Sequence, residues 1–236
     1  MRVAAISDIH GNLPALEVVL ADIDGEGVDE IVVGGDVLWG PMQVECIARL
    51  RDAGARFVVG NCEREVLEPT SDVAHWCSDR LDDHTRSFVR SWPRTIERQL
   101  DSLGRVVFCH ATPRDVEEIV TLLTPDDAVH EALSQVDADV VVSGHTHVRL
   151  DRSVTGAPRL LNPGSVGLPY EGATGAFWAL LGGSIEPRRS DYDVEPALEL
   201  LAATGFPSFD DVFPNALRGL VSPESASAHF ERRRGA

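Results

Sequence analysis

A chain of 236 residues with 43% hydrophobic content is long enough to bury a sizeable core, and we read residues 1–236 as a single domain. The formal net charge is −17 and lysine is absent, which disfavours stable binding to nucleic acid or to an anionic membrane by charge attraction. No basic and apolar leader precedes the first strand and no apolar run approaches the length of a membrane span, so a cytoplasmic protein is expected.

The first part of the chain alternates strand and helix. Val3-Ala4-Ala5-Ile6 reads as a buried strand, followed by a helix at about Leu13–Glu26 with Pro14 in its first turn. Glu30–Gly34 reads as the next strand, Met42–Ala53 as a helix opened by Pro41, and Arg56–Gly60 as a third strand. From Cys62 to about Pro93 no strand-like run occurs, and Trp76, His75, His84 and many charges point to a mostly helical, cap-like insertion over about 62–93. Its histidines are expected on solvated helix faces, and the segment itself over the edge of any site nearby.

After Pro93 the pattern turns to a second sheet. Thr95–Leu100 and Arg105–Cys109 predict a hairpin, followed by a loop at Ala111–Asp115, a helix around Asp126–Gln135 and a strand at Val140–Val142. Short β runs at Arg149–Ser153 and Arg159–Leu161 precede the loop Asn162–Gly167, whose glycines permit close backbone approach. Ala176–Leu181 and Ser184–Arg188 predict a hairpin turned by the pair Gly182-Gly183, and the last helix is expected near Val194–Ala203. Pro207, Pro214 and Pro223 interrupt longer elements, so a tail over about 222–236 is expected to be flexible. Phe206, Phe209 and Phe213 either pack internally or bury a partner surface, the one hint of a homo-oligomer. Cys46, Cys62, Cys77 and Cys109 lack CxxC pairing, which argues for reduced thiols.

Polar motifs hang on the ends of these apolar runs: Asp8-Ile9-His10, Gly35-Asp36, Gly60-Asn61, His110 and Gly144-His145-Thr146-His147. Oxygen and imidazole donors of these types hold divalent cations. In open α/β sheets ligands gather outside the carboxyl ends of strands, so motifs far apart in sequence can meet at one rim.

In order and type these motifs resemble the calcineurin-like metallophosphoesterases, whose pattern runs Asp-x-His, Gly-Asp, Gly-Asn-His-Asp/Glu, His and Gly-His-x-His. The resemblance covers Met1 to about Gly167. It implies that Asp8, His10 and His147 bind one metal, that Asn61, His110 and His145 bind the other, and that Asp36 bridges both. Mixed Asp, Asn and His ligation suits two divalent ions drawn from Mn, Fe, Ni or Zn, with manganese a natural candidate. The expected architecture is a two-sheet αββα sandwich of the α/β class, with helices on the outer faces and a dinuclear metal site at one rim.

One position departs from the pattern, because Gly60-Asn61-Cys62-Glu63 carries Cys where the family usually has His. The same change marks a bacterial and archaeal branch that mostly favours phosphodiesters. A thiol is a poor general acid, and Cys62 also reads simply as a small buried packing residue. Glu63 could orient ligands from behind.

The expected activity is therefore a metal-dependent phosphoric ester hydrolase acting through metal-activated hydroxide. Its substrate would be a phosphodiester, a nucleotide or a dinucleoside polyphosphate. Asp36 and His145 would act at the metals, and Arg114 either forks onto a phosphate oxygen or pairs with Asp115 on the surface. Protein serine/threonine phosphatase or other monoesterase activity is the alternative. A noncatalytic metal-binding scaffold is the alternative of another class, since a retromer subunit shares the fold.

Overall fold

The structure is a computed structural model and describes residues 1–234. One sheet contains β1 (Val3–Ile6), β2 (Glu30–Val33), β3 (Arg56–Phe57), β9 (Ala176–Leu181) and β10 (Ile185–Ser190), in the order β10-β9-β1-β2-β3. The other contains β4 (Ile96–Leu100), β5 (Gly104–Phe108), β6 (Val140–Val142), β7 (Leu150–Arg152) and β8 (Arg159–Asn162), in the order β4-β5-β6-β8-β7. Parallel pairing of β1 with β2 and of β2 with β3, and of β5 with β6 and of β6 with β8, sends the motif-bearing strand ends the same way within each sheet.

Alternation along the strands explains the sandwich. Val3 and Ala5 of β1 meet Val106, Phe108, Val140 and Val142 in the layer between the sheets. Ala4 and Ile6 point the other way, towards α1 (Leu13–Glu26), α2 (Gln43–Asp52), α7 (Val194–Ala202) and α8 (Phe209–Leu217). On the far side, Val141 of β6 packs with Val129 and Leu133 of α6 (Asp126–Leu133). Both faces of these strands are buried, so their sequences are continuous apolar runs.

The segment between 62 and 93 is helical, as α3 (Asn61–Leu67), α4 (Asp72–Ser78) and α5 (Asp83–Arg90). It is built into the wall of the first sheet: Cys77, Leu81, Val89 and Trp92 belong to the core, and Gln43 donates from Nε2 to the Cys77 carbonyl at 2.6 Å. Ser71 and Asp82 cap the later helices through their side chains. His75 and His84 are exposed.

Several expected boundaries change. The third strand ends at Phe57, because beyond it the Val59 N–H turns to the Pro93 carbonyl at 2.9 Å. The late hairpin pairs Leu181 with Ile185, leaving Gly182, Gly183 and Ser184 as a three-residue loop in place of the expected Gly182-Gly183 turn. Two helices follow α7. The first, α8, holds Pro214 internally and buries Phe209, Phe213, Ala216 and Leu217, while Phe206 is also in the core; these phenylalanines therefore pack internally. The second, α9 (Pro223–Arg234), replaces most of the flexible tail expected over 222–236, because Ala226, Ser227 and Phe230 find a buried face; Gly235 and Ala236 lie outside the described residues. Among the described residues no helix is long and apolar enough to cross a membrane.

Candidate metal centre

Both sheets contribute to one rim. Asp8 and His10 follow β1, Asp36 follows β2, and Asn61 opens α3 just beyond β3. His110 follows β5, and His145 and His147 follow β6. Ligand atoms of Asp8, His10, Asp36 and His147 all lie within 4.8 Å of one another, as do those of Asp36, His110 and His145. Asp36 is common to both groups, and Asn61 Oδ1 stands 2.9 Å from His110 Nε2. All seven donors expected from the motifs are thus brought together.

The hydrogen bonds behind the imidazoles decide which nitrogen faces inward. His147 Nδ1 lies 2.8 Å from the Leu168 carbonyl, His110 Nδ1 2.8 Å from the Gly34 carbonyl and His10 Nδ1 3.3 Å from the Trp39 carbonyl. A carbonyl only accepts, so each Nδ1 carries a proton, and the rings of His10 and His147, kept neutral by burial, turn a bare Nε2 inward. Those two lone pairs face other acceptors: His10 Nε2 is 3.2 Å from His147 Nε2 and 3.8 Å from Asp36 Oδ2, and His147 Nε2 is 3.4 Å from Asp8 Oδ1. Buried acceptors converging without donors repel one another, and positive charge at their centre removes the repulsion. The donor set therefore fits divalent cations.

Backbone strain is concentrated at the same place. Six non-glycine residues among those described have positive φ, and five of them are Asp8, His10, Asp36, His145 and His147, at 56°, 46°, 53°, 68° and 57°. This left-handed conformation costs on the order of 1–3 kcal/mol per residue and persists where surroundings over-determine it. Two glycines admit the close packing involved. A Cβ on Gly60 would lie 2.2 Å from Asp36 Oδ1, and one on Gly144 would lie 2.6 Å from Asp8 Oδ2.

Electrostatics follow from burial and crowding. Burial pushes His10 down to about 4, His147 to about 4 and His145 to about 3, keeping these rings neutral as ligands must be. Burial opposes charge on His110 too, but the adjacent Asp36 carboxylate outweighs it and raises that imidazole to about 10. Asp36 is held below the usual carboxylate range, its burial overcome by His110 and His10 and by the Cys62 N–H that donates to Oδ1 at 3.0 Å. Asp8 rises to about 6, chiefly through burial.

Supporting residues lock this arrangement. Glu63 is fully buried and accepts the backbone N–H groups of Asp36, Val37, Leu38 and Gly60 at 2.8–3.0 Å. Ser165 donates to the Asp8 carbonyl at 2.8 Å, and Asn162 donates to the Gly144 carbonyl at 2.6 Å, so the Asn162–Gly167 loop ties the end of β1 to the end of β6 at this rim. Tyr170 stacks on His147 with ring centroids 4.8 Å apart. Cys62 is buried, and burial followed by the charges of Asp36 and Glu63 pushes its thiol well above the ordinary value.

Arg114 stands apart. Its guanidinium forks onto Glu118 rather than Asp115, is half-exposed, and belongs to neither donor group. Arg114 and Glu118 lie in the non-helical stretch between β5 and α6, where spacing alone does not signal their pairing. Phe230 of α9, whose ring lies 5.9 Å from that of His145, could not be inferred from motif spacing.

Comparison with known proteins agrees with this geometry. Residues 1–181 match the model of the calcineurin-like phosphoesterase superfamily domain. The uncharacterized protein MJ0912 of Methanocaldococcus jannaschii is 31% identical over 234 residues, covering 88% of this chain and 94% of that protein. Phosphodiesterase YfcE of Escherichia coli is 30% identical over 184 residues, covering 76% of this chain and 87% of the enzyme. A metallophosphoesterase from Sphaerobacter thermophilus shares the fold, with a TM-score of 0.74 and 24% identity over 93% of this chain and 100% of that one. With the donor residues meeting at one rim and the family model spanning the sheets that carry them, the chain belongs to the calcineurin-like phosphoesterase superfamily and is a hydrolase of phosphoric esters.

Proposed function

We propose that this protein is a dinuclear metal-dependent phosphoesterase that cleaves phosphodiester or phosphoanhydride links in small phosphorylated molecules, nucleotides included. The observation that carries the reading is the position of Asp36 in both donor groups, which suits a carboxylate bridging two cations. Asp8, His10 and His147 would hold one ion, and Asn61, His110 and His145 the other. Divalent ions such as manganese, bound there, supply Lewis acidity towards the phosphoryl oxygens and an activated water as nucleophile.

The chain's own residues supply orientation. Carbonyls of Trp39, Gly34 and Leu168 hold three imidazoles in the ligand tautomer, and Glu63 holds the Asp36 loop by its N–H groups. The position after Asn61 offers no useful acid. Cys62 is buried and its thiol keeps its proton, so leaving groups that need protonation are served poorly. Phosphate and nucleotide leaving groups of anhydrides, and activated diesters, depart without that help. This favours them over alkyl monoesters.

Completeness of the donor set distinguishes this reading from a noncatalytic scaffold, for which no physical need gathers seven ligand side chains around strained backbone. The test is a screen of the manganese-reconstituted protein against aryl diesters, aryl and alkyl monoesters, and dinucleoside polyphosphates. Turnover of diesters or polyphosphates above alkyl monoesters is expected. No metal-dependent turnover of any of them would overturn the proposal.

A further inference from the structure

We propose that α9 forms the outer wall of the active site and that Arg233 on it binds a second anionic group of the substrate, a phosphate beyond the one being cleaved. The proposal rests on the phosphoesterase reading and names the class of substrate it selects: polyphosphates rather than esters with a single phosphorus.

The helix lies outside the segment matched by the family model, which ends at residue 181, yet it reaches the metal rim. Phe230 is buried against His145. Glu231 accepts hydroxyl hydrogen bonds from Thr121, at 2.8 Å, and Thr124, so the last turns of α9 are pinned to the loop before α6. With those two residues fixed, Arg233 faces a cleft of about 540 Å³ whose lining includes the donor residues Asn61 and His145.

The charges in that cleft are unevenly committed. Arg64 pairs with Glu117 at 3.7 Å, and Glu65 accepts from the Ser71 hydroxyl at 2.9 Å. Among the described residues Arg233 makes no ion pair. Glu65 and Glu68 line the α3 side and repel an anion there, which leaves the α9 side as the wall where a phosphate finds an available guanidinium. Arg233 also borders a second cleft of about 650 Å³, which shares Glu117 and Ile119 with the first and continues to Arg114 and Arg234. A substrate extending from the metals beyond one phosphate therefore passes Arg233. In a protein of net charge −17, a cation in this place is the local exception that such a substrate requires.

The experiment compares the manganese-loaded wild type with Arg233→Ala, Arg233→Lys and Arg232→Ala, the last changing a neighbouring arginine that lines neither cleft. Calorimetry with inorganic tripolyphosphate reads binding directly. Steady-state kinetics on diadenosine tetraphosphate and on bis(p-nitrophenyl) phosphate read selection. Arg233→Ala is expected to weaken tripolyphosphate binding about tenfold and to lower the polyphosphate-to-aryl ratio of kcat/KM by a similar factor, mainly through KM. Arg233→Lys should fall between, because it keeps the charge and loses the fork, and Arg232→Ala should match the wild type. Unchanged tripolyphosphate affinity and an unchanged ratio in folded Arg233→Ala would overturn the inference while leaving the phosphoesterase reading intact. Failure of the wild type to hydrolyse either ester would instead strike that reading, and the tripolyphosphate titration would still judge Arg233.

Discussion

Glu63 accepts the backbone N–H of Asp36 at 2.9 Å while Asp36 itself reaches both groups of candidate ligands. A carboxylate buried behind the centre thus sets the position of the carboxylate inside it. The same Glu63 side chain also accepts from Val37, Leu38 and Gly60, so it joins the loop after β2 to the start of α3.

Glu63→Gln should therefore act on metal retention through geometry. The amide keeps the volume but turns an NH2 group towards N–H donors, leaving one or two of them unsatisfied at a cost of about 1–3 kcal/mol each. Lower stability to urea together with weaker manganese retention is expected. Wild-type values in both measurements would show that the loop holds its shape without Glu63.

Asp36→Asn removes the one charge placed to serve both ions. Loss of an outer partner alone typically lowers affinity or activity about 10–100-fold, and loss of a shared ligand should exceed the upper end of that range. Metal content by elemental analysis and hydrolysis of an aryl diester should fall together in a protein that remains folded. Normal turnover with two bound ions would sink the bridging assignment.

Much of this centre was legible because its parts are written locally. Val3–Ile6, Val106–Phe108 and Val140–Val142 are apolar on both faces, and each is followed within a few residues by Asp or His, so strand ends and donors could be read together. The locks behind the donors were not legible. Carbonyls of Trp39, Gly34 and Leu168 orient the histidines, and a carbonyl has no residue signature. Nor was α9, whose buried Ala226, Ser227 and Phe230 are flanked by Glu224 and Ser225 on one side and Glu231–Arg234 on the other and include a single large apolar residue. Arg114 looked available until the fold placed Glu118 against it.

Metal removal should destabilise the fold, because the inward Nε2 atoms of His10 and His147 and the oxygens of Asp8 and Asp36 would face one another across 4.8 Å or less. Ligand at about one hundred times its dissociation constant contributes about 2.7 kcal/mol, which for a chain of this size corresponds to a Tm change of roughly 5–10 °C. Differential scanning calorimetry with chelator, and again after manganese is restored, should show that fall and recovery. An identical Tm in both states would mean that the cluster does not hold ions tightly.

Cys62→His tests why the enzyme should prefer diesters and anhydrides. Cys62 is buried beside Asp36, donating its backbone N–H to Oδ1 at 3.0 Å, and burial holds its thiol in the protonated form. An imidazole with an ordinary pKa near 6.5 can donate a proton to a departing alkoxide where that thiol does so poorly. General acid catalysis is worth about 10²–10⁴-fold in prepared sites, and a site shaped for Cys should realise only part of it, about tenfold. Alkyl monoesters should gain most, because aryl leaving groups depart with little help. The measurement is the ratio of alkyl to aryl monoester turnover across pH at matched metal occupancy. An unchanged ratio, with the new imidazole located beside the metals, would move the explanation from the missing acid to the shape and charge of the cleft between α3 and α9.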